Sequence, residues 1–299
     1  MRELVVISGK GGTGKTSITA AFACLAQNSM LCDADVDAAD LHLLMDPKVL
    51  ETSDFMGGHK ASINLDICMQ CGICIELCKF EAISYQFKIN ALDCEGCGVC
   101  VDFCPINAID FPMIKCGEWF KSETRLGPMV HARLGIAQEN SGRLVSLVRQ
   151  EARKLAESSN RELLITDGPP GVGCPVIASL GGATAVVIVT EPSLSGIHDM
   201  ERVIQLANNF KVPVMVCINK YDLNADQTEK IIESISKRNI RFLGKIPYDP
   251  NFTKAMIQAQ TILEYAPESV ASNIIREIWE QIIRAPEMNV ITELQLNKN

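Results

Sequence analysis

Eight of the 13 cysteines fall into two short runs with the same spacing. The first run is C-x2-C-x2-C-x3-C from Cys68 to Cys78, and the second repeats it from Cys94 to Cys104, at an offset of 26 residues throughout. The residues between the cysteines repeat as well, as CMQCGICIELC and CEGCGVCVDFC show. Thiolates at this spacing can wrap one face of an iron–sulfur cube, whose fourth ligand must come from elsewhere in the chain. The two runs therefore predict a duplicated segment that holds two 4Fe–4S clusters.

The fourth ligand of each cluster is expected from the other run. This block resembles a bacterial-type two-cluster ferredoxin across its whole length, in which the last cysteine of each run serves the other cluster. We assign one cluster to Cys68, Cys71, Cys74 and Cys104, and the other to Cys94, Cys97, Cys100 and Cys78. Lys79 departs from the pattern, because it stands where proline is usual and where the second run has Pro105. A pair of zinc sites is the alternative, but zinc sites rarely use four cysteines within 11 residues.

Residues 3–26 contain the motif of a phosphate-binding loop. The segment ELVVISGKGGTGKTSITAAFACLA has the pattern of a buried strand, a glycine-rich loop and a helix, and it contains G-x-x-x-x-G-K-T. Glycines let backbone N–H groups point at phosphate, and the helix N-terminus adds a favourable dipole. Lys15 is expected to reach the β- and γ-phosphates, and the Thr16 hydroxyl to bind Mg²⁺. The expected nucleotide contacts of this loop are Gly9, Lys10, Gly11, Gly12, Thr13, Gly14, Lys15, Thr16 and Ser17.

The same glycines also satisfy a rival motif. They match G-x-G-x-x-G, and Asp33 follows 19 residues after the last of them, as in dinucleotide-binding proteins. Three features favour a triphosphate instead. Lys15 and Thr16 give phosphate and metal contacts that a dinucleotide does not need. An apolar strand ends on Asp167, as expected for the outer Mg²⁺ shell, and another ends at Asn219, with Asp222 placed to contact a base.

Several motifs together resemble the MinD/ParA/Mrp class of P-loop ATPases. They are KGGTGKT with Lys10 directly after Gly9, DADVDAAD, DGPPG and the late strand motifs, and EPSLSGIHD and NSGRLV look like further signatures. The resemblance covers most of residues 1–60 and 113–285. More narrowly, the chain resembles MinD-superfamily ATPases that carry an inserted ferredoxin domain.

This resemblance implies roles for individual residues. Lys10 would cross a nucleotide-sandwiched dimer to touch the partner's phosphates, and Asp35 would position or activate the attacking water. Asp33 would support the Mg²⁺ shell, Asn219 would read adenine, and the chain around Pro247 would pack beside the base. The catalytic residues implied are thus Lys10, Lys15 and Asp35. Residues that would sense the γ-phosphate as a switch are Asp35, Asp167, Gly168, Pro169, Pro170 and Gly171. Because N-K-x-D with Asp222 is also how GTPases grip guanine, ATP rests on the class resemblance.

Apolar runs and turn residues predict an α/β fold. Parallel strands are expected near 4–8, 29–33, 163–167, 185–190, 214–219 and 241–246, and helices near 15–27, 142–158, 195–208, 225–237 and 268–284. Their alternation indicates a doubly wound, mostly parallel sheet with the phosphate loop at the carboxyl ends of the strands. The ATPase domain would span 1–60 and 113–299, with a small α+β ferredoxin-like domain inserted at 61–112. Residues 113–130 are expected to be the return linker.

Composition limits where the protein acts and what it binds. Hydrophobic residues make up 47% and charged residues 21%, as in a chain that buries a core. The N-terminus lacks the pattern of a secretory signal, so we expect a cytoplasmic protein with reduced cysteines. A net charge of −8 argues against nucleic acid as a partner. The apolar stripe of the last helix lacks a lysine cluster, and we expect core packing there instead of membrane binding. The stripe consists of Ile274, Ile275, Ile278, Trp279, Ile282 and Ile283.

Together these features predict an ATP-hydrolysing, Mg²⁺-dependent iron–sulfur protein. Its nucleotide-driven dimer cycle would be coupled to electron transfer through two 4Fe–4S clusters. We expect a homodimer, or a pseudo-symmetric heterodimer with a related ATPase, and a redox or metallocofactor partner protein. An ATPase for iron–sulfur or metallocofactor assembly is the main alternative. A MinD/ParA-type positioning ATPase and an NAD-linked oxidoreductase rank below it.

Overall fold

The computed structural model describes residues 1–135 and 140–289. The chain divides into two compact units, and β-strands carry the chain from the first unit to the second and back. The first unit contains Met1–Thr52, Trp119–Arg133 and the chain from Ser141 onward. The second contains Ser53–Glu118 and Leu134–Asn140. This second unit extends beyond the predicted insert of 61–112 on both sides, and the assignment of the two parts to separate activities stays a prediction.

Nine of the strands in the described part of the chain form one sheet. Its order is β11-β10-β9-β1-β8-β2-β7-β6-β3, and the other two strands, β4 and β5, pair with each other. The strands are β1 Arg2–Ser8, β2 Ser29–Asp33, β3 Lys48–His59, β4 Ser62–Ile63, β5 Ile109–Asp110, β6 Met113–Thr124, β7 Gly127–Leu134, β8 Leu163–Pro170, β9 Ala185–Thr190, β10 Val214–Asn219 and β11 Arg241–Ile246.

The helices of the first unit cover its sheet, and two short helices, Ile73–Leu77 (α3) and Val99–Asp102 (α4), belong to the second unit. In chain order the helices are α1 Lys15–Leu25, α2 Leu41–Met45, α3 Ile73–Leu77, α4 Val99–Asp102, α5 Ser141–Ser158, α6 Cys174–Leu180, α7 Leu194–Asn209, α8 Ala225–Lys237, α9 Asn251–Ile257, α10 Ile262–Tyr265, α11 Val270–Ile283 and α12 Pro286–Asn289. None of the described helices has both the length and the apolar composition that a bilayer crossing requires.

The centre of the sheet is parallel, as the sequence predicts. Strand β1 pairs in parallel with β8 on one side and β9 on the other, and β2 pairs in parallel with β8 and β7. β10 joins β9 and β11 in the same sense. All six predicted strands are confirmed. Five of them are apolar runs that are buried almost throughout, as central strands of a parallel sheet are, whereas β11 at the edge of the sheet leaves Arg241 and Lys245 exposed. A mostly parallel α/β sheet of the P-loop type is therefore shown.

The predicted linker at 113–130 is wrong. Residues Met113–Thr124 form β6, and Gly127–Leu134 form β7 after a turn of two residues. Gly127 adopts φ 130° and lies so close to the Ser29 carbonyl oxygen that a Cβ would come within 2.9 Å of it. The glycine and proline of this segment mark a tight strand connection, and the sequence analysis mistook them for the punctuation of a linker.

The last long helix packs into the core of the first unit, as predicted. Ile275, Ile278, Trp279 and Ile282 of α11 are buried, and the Trp279 ring lies 5.5 Å from the Phe22 ring of α1. Ile283 is 40% exposed and lies outside the buried stripe. The apolar face of α11 is therefore used for packing against α1 and β11.

The second unit carries the cysteine repeat on two similar turns. In each turn a glycine with a left-handed backbone precedes a short helix: Gly72 with φ 83° precedes α3, and Gly98 with φ 78° precedes α4. Its small core contains Ala82, Ile83 and Ile109 together with Cys74 and Cys94. Strands β4 and β5 pair antiparallel and tie the two ends of the repeat together.

Candidate functional site

One cavity of about 470 Å³ lies at the carboxyl ends of the parallel strands of the first unit. Pockets of this size hold small-molecule ligands in proteins, and this edge of an open α/β sheet is their usual place. The sequence-predicted residues that line it are Gly11, Gly12, Thr13, Gly14, Lys15, Thr16, Ser17, Asp35, Pro170, Asn219 and Pro247. Gly9, Lys10, Asp33, Asp167 and Asp222 do not line the cavity.

The glycine loop has the backbone that phosphate binding requires. Gly12 and Gly14 adopt φ 80° and φ 86°, which side chains rarely allow. Gly14 lies at the N-cap of α1, and a Cβ there would come within 2.4 Å of the Asn219 amide nitrogen. Nothing lies within 4 Å of the Cβ position of Gly11 or Gly12, so the loop faces open space. No side chain caps the N–H groups at the start of α1, and the residues that carry them line the cavity.

Lys15 and Thr16 meet the end of β8 at a single carboxylate. The Lys15 ammonium lies 2.8 Å from Oδ1 of Asp167, and the Thr16 hydroxyl donates to Oδ2 of the same carboxylate at 2.8 Å. Thr19 of α1 also donates to Asp167. The second carboxylate near Lys15 is that of Asp35, with Nζ and Oδ2 3.4 Å apart. The side chains expected to act on phosphate and metal are therefore linked in one network.

Burial and crowding shift the ionisation of this network. Burial raises the pKa of Asp35 to about 6, although the Lys15 ammonium opposes the shift. Burial, followed by the charge of Asp167, raises the pKa of Asp33 well above its usual range. Burial acts to lower the pKa of Lys15, but Asp167 and Asp35 outweigh it, and the net shift is upward. Lys15 therefore stays charged, while Asp35 titrates close to neutrality.

The chemistry of these side chains fits a divalent cation. Three carboxyl groups, those of Asp33, Asp35 and Asp167, lie around one ammonium, and burial together with their mutual proximity raises the pKa of Asp33 and Asp35. A divalent cation would favour the charged form of these groups. Mg²⁺ takes a hydroxyl and a few carboxylate or water oxygens and completes its shell with phosphate. Thr16 and Asp167 could supply that oxygen set. Asp33 instead accepts the backbone N–H groups of Asp35 and Leu41 at 3.1 Å each, so it shapes the loop that carries Asp35.

Lys10 points away from the cavity. Its ammonium lies 2.6 Å from Oε1 of Glu191 and within 3.2 Å of the Ser193 and Ser195 hydroxyls. Partial burial acts to raise the pKa of Glu191, but the hydrogen bond from Lys10 and the charge of Lys220 lower it overall. In the single chain the side chain of Lys10 is thus held by the EPSLS segment. The role that the resemblance gives Lys10 across a dimer stays a prediction.

The N-K-x-D segment holds the phosphate loop and the loop after β11. The Asn219 amide donates to the Thr13 carbonyl at 2.8 Å, and the Lys220 ammonium donates to the Gly12 carbonyl at 2.8 Å. Asp222 accepts the backbone N–H of Tyr248 at 2.7 Å, which places Pro247 at the cavity wall. Asn219 and Pro247 therefore lie on the cavity wall, where a base would pack. Asp222 lies outside the cavity and holds the backbone at Tyr248. That any of them reads a base stays a prediction.

The segment expected to act as a switch continues β8. Asp167, Gly168, Pro169 and Pro170 belong to the strand, and Gly171 follows with φ 91° and donates its N–H to the Ser8 carbonyl. A Cβ at Gly168 would come within 2.5 Å of the Ile7 side chain. The segment is thus packed against β1 at its start, and only Pro170 reaches the cavity.

The cysteines of the second unit line two small cavities. One is lined by Cys68, Cys71, Cys74 and Cys104, and the other by Cys78, Cys94, Cys97 and Cys100. Each lining set draws three cysteines from one run and one from the other. Burial and then the neighbouring thiols raise the pKa of Cys100 to about 11, which shows how closely the thiols are grouped. Four thiols around each cavity are a donor set that fits a 4Fe–4S cluster.

The part of the chain that is described contains no group of three or more His, Cys, Asp or Glu side chains drawn together closely enough to hold one metal ion. A single ion requires ligand atoms within about 4 Å of one another. In a cube each thiolate binds a different iron.

Several cavity residues were missed by the sequence analysis. They include the apolar side chains of α2 and α9 and the chain after Pro247: Leu43, Leu44, Tyr248, Phe252 and Met256. No motif marks them, because they reach the cavity only through the packing of short helices. Glu191 lies in EPSLSGIHD and was given no role. It directly follows β9, which pairs with β1, and this pairing brings it next to Lys10.

Comparisons with known proteins agree with this site. Residues 4–262 match the family described as the CobQ/CobB/MinD/ParA nucleotide binding domain. The uncharacterized protein MJ0578 of Methanocaldococcus jannaschii is 35% identical over 285 residues, which cover 94% of this chain and 96% of that protein. The uncharacterized ATP-binding protein MJ0547 of the same organism is 25% identical and covers 94% of this chain and 88% of its own length. The septum site-determining protein MinD of Pyrococcus horikoshii OT3, solved with Mg-ADP, is similar in fold, with a TM-score of 0.58, 17% identity and coverage of 97% and 99%.

Proposed function

The chain belongs to the CobQ/CobB/MinD/ParA nucleotide-binding family and is an ATP-binding P-loop ATPase, and we propose that it couples ATP hydrolysis to electron transfer through two 4Fe–4S clusters. The observation that carries the proposal is that one chain has both a phosphate-loop cavity and two cavities lined by four cysteines each. ATP binding and hydrolysis follow from the family. Electron transfer is our extension.

The network at the end of β8 supports the ATPase part of the mechanism. Lys15 neutralises charge on the phosphates, and Thr16 with Asp167 provides oxygen ligands for Mg²⁺, which neutralises the remainder. Asp35 lies 3.4 Å from Lys15 on the cavity wall and is the group that can orient a water and take its proton. Phosphoryl transfer needs positioning and charge neutralisation more than covalent chemistry, and these residues supply both.

The cysteine cavities support the electron-transfer part. Cys68, Cys71, Cys74 and Cys104 would hold one cluster, and Cys78, Cys94, Cys97 and Cys100 the other. A bound cluster supplies one-electron redox chemistry. Because each set is complete with four thiols, neither cluster needs a ligand from outside the chain. Complete ligation suits a protein that keeps its clusters better than one that gives them away, and this favours electron transfer over cluster assembly.

Lys10 supports a nucleotide-dependent change of assembly. It is held by Glu191 in the single chain, and the family resemblance gives it a place at the phosphates of a partner subunit. ATP between two subunits would therefore compete with Glu191 for Lys10. Closure of a homodimer, or of a heterodimer with a related ATPase, would then follow ATP binding and reverse after hydrolysis.

The proposal is tested on anaerobically purified full-length protein, first by composition. We expect about eight iron and eight sulfide per chain, with EPR signals of reduced 4Fe–4S clusters after dithionite. Cys71→Ser should remove about half of the iron, because Cys71 lines one cavity only. Cys174→Ser is the matched control, since Cys174 is also exposed but lines neither cysteine cavity. Iron that is absent, or equally lost from both variants, contradicts the cluster assignment.

The second step asks whether the two activities are coupled. EPR spectra and ATP turnover are measured with and without Mg-ATP in the wild type and in Lys15→Ala. The proposal expects the spectra of the wild type to change with Mg-ATP and those of Lys15→Ala to stay constant. Transfer of iron to an apo-acceptor protein on ATP addition would instead favour the assembly function.

A MinD/ParA-type positioning ATPase is the second candidate. The comparisons favour it more than the sequence analysis did, because the family description and the similar solved structures are of this type. In this case the second unit would serve as a recognition module. Sedimentation with liposomes or DNA in the presence of Mg-ATP tests it. ATP-dependent co-sedimentation supports positioning, and the absence of co-sedimentation in both assays argues against it.

A further inference from the structure

The two cysteine cavities are not equivalent, although the sequence around them repeats. The repeat offset of 26 residues relates Cys68 to Cys94 and, just before each run, Lys60 to Gln86. Lys60 is half-buried, and its ammonium donates to the carbonyl oxygens of Ala91 at 2.7 Å and of Cys94. A positive charge therefore lies against the turn that presents Cys94.

The backbone around Lys60 covers the same cavity. Ala61 lines it, and the His59 carbonyl lies so close to Gly96 that a Cβ there would be 2.3 Å away. Gly96, with φ 61°, stands between Cys94 and Cys97, and its repeat partner Gln70 has φ 54°. The same left-handed turn thus occurs twice, but only the second is so closely covered that a side chain has no room.

The other cavity lacks this cover. The repeat partner of His59 is Tyr85, which is 87% exposed, and Gln86 is exposed and carries no charge. Phe87, the partner of Ala61, lines the cavity of Cys68 with an apolar ring. The half-buried cation is therefore specific to the cavity of Cys78, Cys94, Cys97 and Cys100.

Two other charged side chains near that cavity, Glu95 and Lys79, are expected to exert a weaker electric field on it. Glu95 reaches the cavity lining, but it is exposed, and solvent and salt screen it. Lys79 follows Cys78 and is exposed too. Lys60 is more shielded than either and is fixed by two carbonyl groups, so its field at the cavity is the least screened of the three.

We propose that Lys60 raises the reduction potential of the cluster held by Cys78, Cys94, Cys97 and Cys100 and so sets it apart from its twin. A nearby positive charge stabilises the reduced cluster, which carries one more electron than the oxidised one. An electron that passed within the chain from a reduced cluster at Cys68 to an oxidised cluster at Cys94 would form and break no bond. Lys60 biases that exchange toward the Cys94 side. The inference rests on the proposed clusters.

Redox titration of the intact protein followed by EPR tests this inference. Lys60→Gln keeps a hydrogen-bond donor and removes the charge, Lys60→Arg keeps the charge, and Gln86→Met is the matched control at the equivalent position. In Lys60→Gln one midpoint potential should fall, changing the equilibrium between the clusters about tenfold, which is about 59 mV for one electron. The other potential should stay constant. Lys60→Arg and Gln86→Met should leave both potentials within a small fraction of that shift.

The outcomes separate this inference from the proposed function. If the anaerobically purified wild-type protein contains no iron, the proposed clusters are refuted, and the role of Lys60 is refuted with them. Full iron content with unchanged or equally shifted potentials in Lys60→Gln overturns the role of Lys60 and leaves the clusters in place. Loss of about half of the iron in Lys60→Gln shows that Lys60 acts as a structural clamp for the Cys94 turn, and this also overturns the tuning role.

Discussion

Replacing Asp35 with asparagine should stabilise the nucleotide-free protein while it stops ATP hydrolysis. Burial outweighs the attraction of Lys15 and raises the pKa of Asp35 from 3.8 to about 6. The charged form of this side chain therefore destabilises the folded state at neutral pH. Asparagine has nearly the same shape without the charge, so Asp35→Asn removes that destabilisation.

The expected change in unfolding free energy follows from the pKa shift of Asp35. A change from 3.8 to about 6 corresponds at most to about 3 kcal/mol of lost stability at pH 7. With allowance for solvent screening at the cavity wall, we expect Asp35→Asn to gain about 1–2 kcal/mol. ATP turnover should fall about 10²-fold or more, because a group that positions water or takes its proton contributes that much.

The pH dependence has a definite sign. A carboxyl whose pKa is raised in the folded state binds its proton more tightly there, so the contribution of Asp35 to wild-type stability falls as the pH rises from about 4 to 6. Asp35→Asn lacks this loss. Its advantage should be small at pH 4, grow through pH 5 and be complete above pH 6.

Urea denaturation of both proteins at pH 4, 5 and 7 without nucleotide measures this difference, with Asp37→Asn as a control on an exposed neighbour. A variant that is less stable than the wild type at pH 7, or a difference that does not change with pH, would refute the electrostatic reasoning. In that case the ion pair with Lys15 outweighs burial.

Three further changes test other parts of the structure. Lys15→Ala leaves buried carboxylates without their cation, so it should lower unfolding stability by about 3 kcal/mol in urea and abolish ATP binding in calorimetry. Gly14→Ala forces a side chain into φ 86° and against Asn219, and its ATP affinity should fall at least tenfold, whereas Gly181→Ala, in open space, should bind ATP normally. Trp279→Ala should lower the unfolding free energy by about 3–5 kcal/mol while the ATP affinity of the folded protein stays unchanged.

The sequence predicted the parallel sheet because its strands are apolar runs with sharp turns at their ends. Strands such as Ala185–Thr190 are buried on both faces, and burial of that kind leaves a direct mark in composition. Strands β3 and β6 were missed because they are partly exposed, and β6 carries charged residues such as Lys115 and Lys121. Strand β7 is mostly buried, and it was missed because Gly127 and Pro128 indicated a linker. Of the three, β3 stands at the edge of the sheet, where exposed polar residues make the composition of a strand similar to that of a loop.

The site divides in the same way. The phosphate loop and the cysteine runs are local motifs, in which spacing along the chain sets spacing in the structure. Contacts such as Lys10 with Glu191, or Asp222 with the backbone of Tyr248, join residues distant in sequence, and only the fold brings them together. Lys60 beside Cys94 belongs to the same group, because neither residue forms a motif with the other.

The central claim is that nucleotide bound in the first unit changes the reduction potentials of the clusters proposed for the second. The most direct measurement is the midpoint potential of each cluster in the wild type, titrated without nucleotide, with Mg-ADP and with a non-hydrolysable Mg-ATP analogue. The account predicts that the analogue shifts at least one potential relative to Mg-ADP, and that Lys15→Ala shows no shift. Potentials that are identical under all three conditions in a fully iron-loaded wild-type protein would contradict it.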